Sequence, residues 1–403
     1  MHSNKRVLII SCYPIKDPLH GGQKRVAAVV EEYKKVFARV KYVAVFVREH
    51  YPVYDHDDIY LTGRWATAAL HDHLTSDIRI GNAMVESPDL RRKLEALLRS
   101  YKPDIIQVDQ CFPYIGLRQI IQDMGIRPKI IYNSQNIETV IKEDVMTIAG
   151  AADTDVAEAL AIIEEVETDL AQHADLVAAV SKEDGEYYLS LGAKRYVLAS
   201  NGIATLAHSP AAVAYWHKQF KAQGIDAIAS FIGSSHLPNM QGMQQMIGLR
   251  LGFFPANTRL VLAGGVGRHL KQYFDYDNML DSTFWQRAIS VGFLSESQLS
   301  GLLEVSDVIL LPIVKGGGSN LKTAEAILSG KKIVATTFAF RGYESHLTLP
   351  NIWIADTPEK FRAAITEALI TPLKKRSKSQ ELQAQTVQWH YSLKQLVEEA
   401  VKL

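Results

Sequence analysis

The stretch SDVILLPIVKGGGSNLKTAEAILSGKKIVAT, Ser306–Thr336, decides how the chain reads. Val308–Pro312 is a short apolar run, the pattern of a buried strand. Lys315–Gly318 is a glycine-rich turn. Ser319 is a good N-cap, and Asn320–Ser329 carries Leu321, Ala324, Ala326 and Leu328 at helical spacing. Gly330 closes that helix, and Lys332–Ala335 is a second strand. This is one βαβ unit in which a glycine turn feeds a helix N-terminus. Such a turn offers free amides and the positive end of a helix dipole, so it suits an anion. Lys322 falls in the first helical turn, where a cation is unfavourable unless an anion meets it. Glu325 follows one turn on. The plainer reading makes the two an i,i+3 surface pair worth roughly a few tenths of a kcal/mol.

The first part of the chain has the same grammar. Arg6–Ser11 reads as a buried strand, Cys12–Gly22 as a loop ending in Gly21-Gly22, and Val40–Val47 as the next strand. Between them Gln23–Ala38 reads as a helix with Val26, Val29, Val30, Tyr33 and Phe37 on one face. Strand, glycine loop, helix, strand opens a doubly wound parallel domain. Gly21-Gly22 is a tight turn in the plainer reading; in the sharper one Arg25, in the first turn, is an anion contact. Ile105–Val108 and Lys129–Tyr132 are further strands, ending at Asp109-Gln110 and Asn133–Glu138. Open α/β sheets place ligand groups at such carboxyl ends.

Farther along, Glu164–Ala174 reads as a helix, Leu176–Ser181 as a strand and Ala207–Ile225 as a linker. Ala227–Ile232 is a strand leading to Gly233-Ser234-Ser235 and Pro238-Asn239. Thr258–Ala263 is a strand running into Gly264–Gly267, a weak dinucleotide match that lacks the full spacing and acidic partner. Glu359–Leu369 is a helix, and Ser379–Leu403 is one or two more.

Bulk properties bound the function. The 403 residues are enough for two or more domains, and 47% hydrophobic with 22% charged is ordinary for a soluble globular chain. A net charge of zero supplies no global field for nucleic acid or acidic lipid. Cys12 and Cys111 are too few for a disulfide framework and read as reduced thiols of a cytosolic protein. No apolar run approaches the ~20 residues of a membrane span. MHSNKRVLII passes straight into a strand, so no signal peptide is expected. Arg48–Ser87 holds Tyr51, Tyr54, Tyr60, Trp65, His50, His56, His71 and His73, with no spacing that fixes a metal site. Pro88–Ser100 is a basic amphipathic helix: a solvated face, or more sharply a contact to a membrane surface.

GGGSNLKTAEAILSGKKIVAT resembles the nucleotide-sugar site of retaining GT-B glycosyltransferases, particularly family 4 (group 1). The resemblance implies that the turn residues Gly317, Gly318, Ser319, Asn320 and Leu321, with Lys322, meet the donor phosphates. Glu325 would hold ribose hydroxyls. Gly317 stands where many members have a glutamate near the donor sugar. "GG..R" after the first strand resembles the family's acceptor-side loop, which puts Gly21, Gly22 and Arg25 toward the phosphates. NSQNIETV resembles the family's "HN.E" segment with Gln135 in the histidine's place, and Asp109 and Glu138 are carboxylates to touch a sugar acceptor. LAQHADLVAAVSKEDGEYYLSLGAKRYVLASNGI runs parallel to another family segment that ends the first domain at Asn201-Gly202. In the loop opened by Gly233, Ser234, Ser235 and Asn239 stand near where many members carry an arginine and a lysine against the pyrophosphate, which leaves more of the phosphate contact to Lys322. AISVGFLSE, with Phe293, resembles the segment that contacts the base.

The fold so implied is α/β, two Rossmann-like doubly wound domains facing across a cleft. Residues 1–205 would form the acceptor domain, completed by a terminal helix at about 380–403, with Trp389 and Tyr391 packing the crossing. Residues 206–379 would form the donor domain. The implied reaction moves a sugar from a nucleoside-diphosphate sugar, UDP or GDP type, to a hydroxyl of a glycan, glycolipid or protein, with retention and without metal or other cofactor. Lys322, Glu325, Asp109 and Glu138 would be its catalytic group. The expected partners are the nucleotide sugar and hydroxyl acceptor, not nucleic acid, with a peripheral contact at the inner membrane face of a cytoplasmic protein and a partner subunit as further candidates. Two rivals stay open: a non-catalytic GT-B subunit that stabilises an active enzyme, and a nucleotide-sugar epimerase. A dehydrogenase is disfavoured by the absent fingerprint after the first strand.

Overall fold

The structure is a computed structural model that describes residues 3–62, 72–234, 237–273 and 278–403, with the side chains of 72–73, 237, 269, 271–273 and 278–282 excepted. Trp65, His71, Ser235 and the side chain of His73 lie outside the described residues. The chain forms two compact units, one running to Ser200 and resuming at Ser392–Leu403, the other Asn201–Tyr391.

The first unit is built on strands β1 (Ser3–Ser11), β2 (Phe37–Val47), β3 (Ile59–Leu61), β4 (Ile105–Asp109), β5 (Lys129–Asn133), β6 (Leu176–Ala179) and β7 (Tyr196–Leu198). They lie in the order β3-β2-β1-β4-β5-β6-β7, all parallel. Helices cover both faces, so β4 is buried along its whole length, its polar Gln107 and Asp109 included. The second unit has β8 (Ala227–Ile232), β9 (Thr258–Ala263), β10 (Ala288–Gly292), β11 (Val308–Leu311), β12 (Lys332–Ala335) and β13 (Ile352–Ile354), in the order β10-β9-β8-β11-β12-β13, again all parallel. Both orders reverse direction beside the unit's first strand, which leaves a crevice at the carboxyl ends where a ligand can sit.

Several boundaries differ from the sequence expectation, for identifiable reasons. The first helix is Gly21–Lys34, not Gln23–Ala38. Phe37 already pairs with Ser3 in the sheet, and its ring meets Tyr33 edge-on at 5.4 Å, so the helical spacing of the two aromatics continued past the true end. Ala207–Ile225 is no plain linker: Ser209 caps a helix Pro210–Ala222 whose Trp216 and Phe220 rings stack at 5.6 Å. The helix begun at Glu164 in the sequence reading starts at Asp153. Arg48–Ser87 contains β3 and a helix Asp72–Glu86.

The end of the chain is three helices, Lys378–Gln385, Trp389–Ser392 and Lys394–Lys402. The last belongs to the first unit, tied there by Arg195–Glu399 at 2.6 Å and by Lys5 Nζ donating to Val401 O at 3.1 Å. Its packing is done by Leu393, Leu396 and Ala400; Tyr391 is 43% exposed and its ring lies tilted against His390, centroids 3.9 Å apart. The basic helix, Pro88–Tyr101, spends its apolar stripe Leu90, Leu94 and Leu98 on the core. Arg91 pairs with Glu95 and Asp123, and Arg99 with Glu95. None of the described helices is long and apolar enough to cross a membrane.

Candidate functional site

In the second unit the site is assembled by backbone first. Gly264 turns the chain after β9 at φ 88°, and a Cβ there would lie 2.4 Å from Gly233 O. The loops after β8 and β9 therefore touch backbone to backbone, with Gly233 N donating to Ala263 O at 2.9 Å. Ser234 is exposed beside them. The next helix, Leu237–Gly242, carries Asn239, whose amide donates to Ser234 O at 3.2 Å and Ser234 Oγ at 3.1 Å. Phe293 follows β10 and is 77% exposed, next to Gly292, whose carbonyl accepts from Gly264 N at 2.7 Å.

After β11 the glycine turn uses left-handed angles at Gly316, φ 129°, and Gly318, φ 58°. Ser319 is not the N-cap. Its Oγ accepts from Asn201 N at 2.9 Å and its carbonyl accepts from Asn201 Nδ2 at 2.7 Å, so it serves the turn. Asn320 occupies the cap position without a side-chain cap, and the helix is Leu321–Ser329. Thr323 N donates to Asn320 O at 3.0 Å, and the Leu321 and Lys322 amides are left to an outside acceptor. Gly330 ends the helix left-handed, φ 71°, as expected. Gly317 lies partly buried in the turn, and Leu321 turns its side chain to the core, leaving only its backbone for a ligand.

Lys322 is the charged centre of this site. Its Nζ donates to Asn239 Oδ1 and lies 5.5 Å from the Phe231 ring centroid. Burial lowers its pKa to about 8, opposed by Glu325. Among the described residues no carboxylate is within ion-pair distance of the ammonium, so the structure holds a cation in a sheltered, dipole-positive place. Asn239 is the residue the sequence reading undervalued. In sequence it only stands near where family members carry charge, whereas in the structure it joins Ser234 to Lys322. No linear signal encodes that contact.

The first unit brings together a second group. The helix Gly21–Lys34 is capped reciprocally: His20 Nδ1 accepts from Gln23 N at 3.4 Å and Gln23 Oε1 accepts from His20 N at 3.3 Å. A Cβ on Gly22 would meet the Tyr13 hydroxyl at 2.6 Å and Gln135 Oε1 at 2.8 Å, so only glycine fits; Gly21 precedes it as the exposed first residue of the helix. Tyr13 and Gln135 are buried against each other, and Gln135 Nε2 has no hydrogen-bond partner. A buried amide left open is a place for a ligand hydroxyl or water. Tyr13 was not singled out from sequence.

Three of the expected site residues are buried within the first unit. Arg25 is 1% exposed and donates to Ala199 O at 2.6 Å and Asn133 Oδ1 at 2.8 Å, so it braces strand ends. Asp109 is wholly buried, accepting from Gln107 Nε2 at 3.0 Å and from Asn133 Nδ2. Desolvation raises its pKa to about 6. Glu138 is 4% exposed and accepts from Gln110 Nε2 at 3.2 Å. Burial, Glu167 and Asp77 push its carboxyl up to about 8, so at neutral pH it is a protonated acid rather than a ready base. Of the histidines, His56 faces Asp57 at 3.2 Å and His50 lies beside Tyr51; no metal-binding cluster occurs among the described residues.

No family model and no curated protein sequence matches the chain. Solved structures do. Sucrose-phosphate synthase from Thermosynechococcus elongatus superposes with TM-score 0.72 at 14% identity, covering 99% of each chain. An α,α-trehalose-phosphate synthase (UDP-forming) from Burkholderia vietnamiensis gives 0.66 at 14% identity, over 100% of this chain and 98% of that one. Anabaena HepE in complex with UDP-glucose gives 0.63 at 15% identity, over 99% and 100%. At these identities the likeness speaks for the backbone alone, and it runs the full length of the chain: the protein has the fold of the GT-B glycosyltransferases.

Proposed function

We propose that the protein is a retaining glycosyltransferase that takes a sugar from a UDP-sugar donor and delivers it to a hydroxyl acceptor. The observation that carries this reading is Lys322: a sheltered ammonium with neutral contacts, in the first turn of an uncapped helix, after a left-handed glycine turn. A diphosphate would supply the missing negative charge and accept from the open amides. The UDP-bound HepE structures and the UDP-forming synthase support uridine as the base. Glu325, one turn along the same helix, is suited to ribose hydroxyls, and exposed Phe293 with the Gly292 backbone to the base.

On leaving, the β-phosphate gains charge, which Lys322 and the turn amides neutralise without a metal. In the first unit the Gln135 amide, without a partner at Nε2 beside Gly22, is suited to a ligand hydroxyl. Protonated Glu138 lies in the same unit as a hydrogen-bond donor. Calorimetric titration of UDP, then product analysis by NMR with a UDP-sugar and simple acceptors, tests the reading. UDP binding that depends on Lys322, with a product of retained anomeric configuration, is expected; absence of UDP binding refutes it.

A further inference from the structure

One cavity near the turn is not used by that reading. It measures about 490 Å³, within the roughly 300–1,000 Å³ of small-molecule sites, and is lined by Gln241, Gln244, Gln245, Val314 and Lys315. Its position is fixed by an unusually close approach. A Cβ on Gly242 would fall 1.9 Å from Pro312 O, so the helix rests directly on the end of β11. The following turn, Met243–Ile247, is a π-helix, a widened form often found at functional sites. Gln241, Gln244 and Gln245 share one helical face, and that face lies against Val314-Lys315 where the glycine turn begins.

The chemistry of this wall is one-sided. It contains an ammonium and three carboxamides and no acid. Lys315 makes no ion pair among the described residues. Gln241 Oε1 is buried without a partner, an acceptor that calls for a hydroxyl donor. Along the chain its lining flanks the residues of the proposed diphosphate site on two segments. Gln241 is two residues beyond Asn239, the partner of Lys322, and Lys315 immediately precedes Gly316. A group with both hydroxyls and a negative charge, attached to the diphosphate, would satisfy all of it.

We propose that this cavity selects a donor sugar bearing a carboxylate, a hexuronic acid, with Lys315 and the glutamine amides meeting the carboxylate and Gln241 Oε1 a ring hydroxyl. The inference rests on the UDP-sugar reading above. Gly317 supplies no side chain in the turn, so recognition of the sugar falls to this neighbouring wall.

Calorimetric titration of the whole protein with UDP, UDP-glucose and UDP-glucuronate tests it. UDP-glucuronate should bind about ten-fold more tightly than UDP-glucose, the increment of one charge-assisted contact. Lys315→Gln should collapse that ratio toward unity, Lys315→Arg should keep it, and Gln244→Glu should invert it by repulsion. If UDP binds but the two sugars bind equally, the uronate assignment fails and the diphosphate site stands. If Lys315→Gln weakens all three ligands alike, Lys315 serves the diphosphate or the fold, and the assignment also fails. If UDP does not bind at all, both readings fall.

Discussion

Replacing Lys322 by methionine should move stability and binding in opposite directions. The ammonium is sheltered, and its pKa falls from 10.5 to about 8. Holding it charged at neutral pH therefore costs about 3 kcal/mol, or about 2 once solvent reaching the partly buried side chain is allowed for. Methionine keeps the length and removes that cost, so the ligand-free variant should unfold at a higher temperature, with a gain of about 1–2 kcal/mol after the Asn239 contact is lost. The sign can be checked by pH. Between about 8 and 10.5 the unfolded chain binds more protons at this site than the folded one, so wild-type stability should rise with pH there, and the rise should vanish in the variant. UDP affinity should fall by about 2–4 kcal/mol, because the main charge facing the diphosphate is gone. Thermal unfolding followed across pH, paired with calorimetric titration, measures both. A variant that binds UDP as tightly as wild type, or that is destabilised when empty, would refute the reasoning.

The remaining predictions concern separate residues. Glu325→Gln should weaken UDP more than inorganic pyrophosphate in parallel titrations; equal losses would make it a structural partner of the helix. Glu138→Gln mimics the protonated acid. Since the folded pKa, about 8, lies above the ordinary 4.5, wild-type stability should decline between those values as pH rises, by on the order of several kcal/mol, and the variant should lack the decline in melts across that range. Gly242→Ala should cost roughly 2–3 kcal/mol in denaturant unfolding, since its methyl would strike the Pro312 carbonyl rather than a movable side chain. Transfer should survive EDTA; loss restored by manganese or magnesium would overturn the metal-independent mechanism.

The fold was legible where apolar runs and glycines coincide. β8, β9 and β12 have the limits read from sequence, because short buried runs bounded by turn residues leave little freedom. The shared GT-B backbone likewise accords with a resemblance carried by the turn and helix around Lys322. Reading failed where a local signal had two meanings. Tyr33 and Phe37 keep helical spacing although the second is already in a strand. Ser319 resembles a cap but is claimed by Asn201. For the candidate site, sequence could place Lys322 and Glu138 but not their surroundings. That Asn239 meets Lys322, that Gln135 sits beside Tyr13 at Gly22, and that Arg25 and Asp109 lie below the surface are matters of long-range packing. Sequence spacing carries no information about depth within a sheet, and a polar residue at a strand end can point to ligand or to scaffold with equal regularity.

The contact of Gly242 with Pro312 separates architecture from chemistry. Because it is made of main chain on one side and a missing side chain on the other, it sets the height of the helix over β11 without consulting any neighbouring residue. Gln241, Gln244 and Gln245 are then free to change identity while the frame that presents them stays put. A lineage, or a designer, could exchange those three residues and alter what the cavity admits without repacking the unit. Variation around a fixed glycine at this point is therefore where divergence in ligand choice should accumulate among proteins sharing this frame, and a combinatorial library confined to those three positions should remain folded in most of its members.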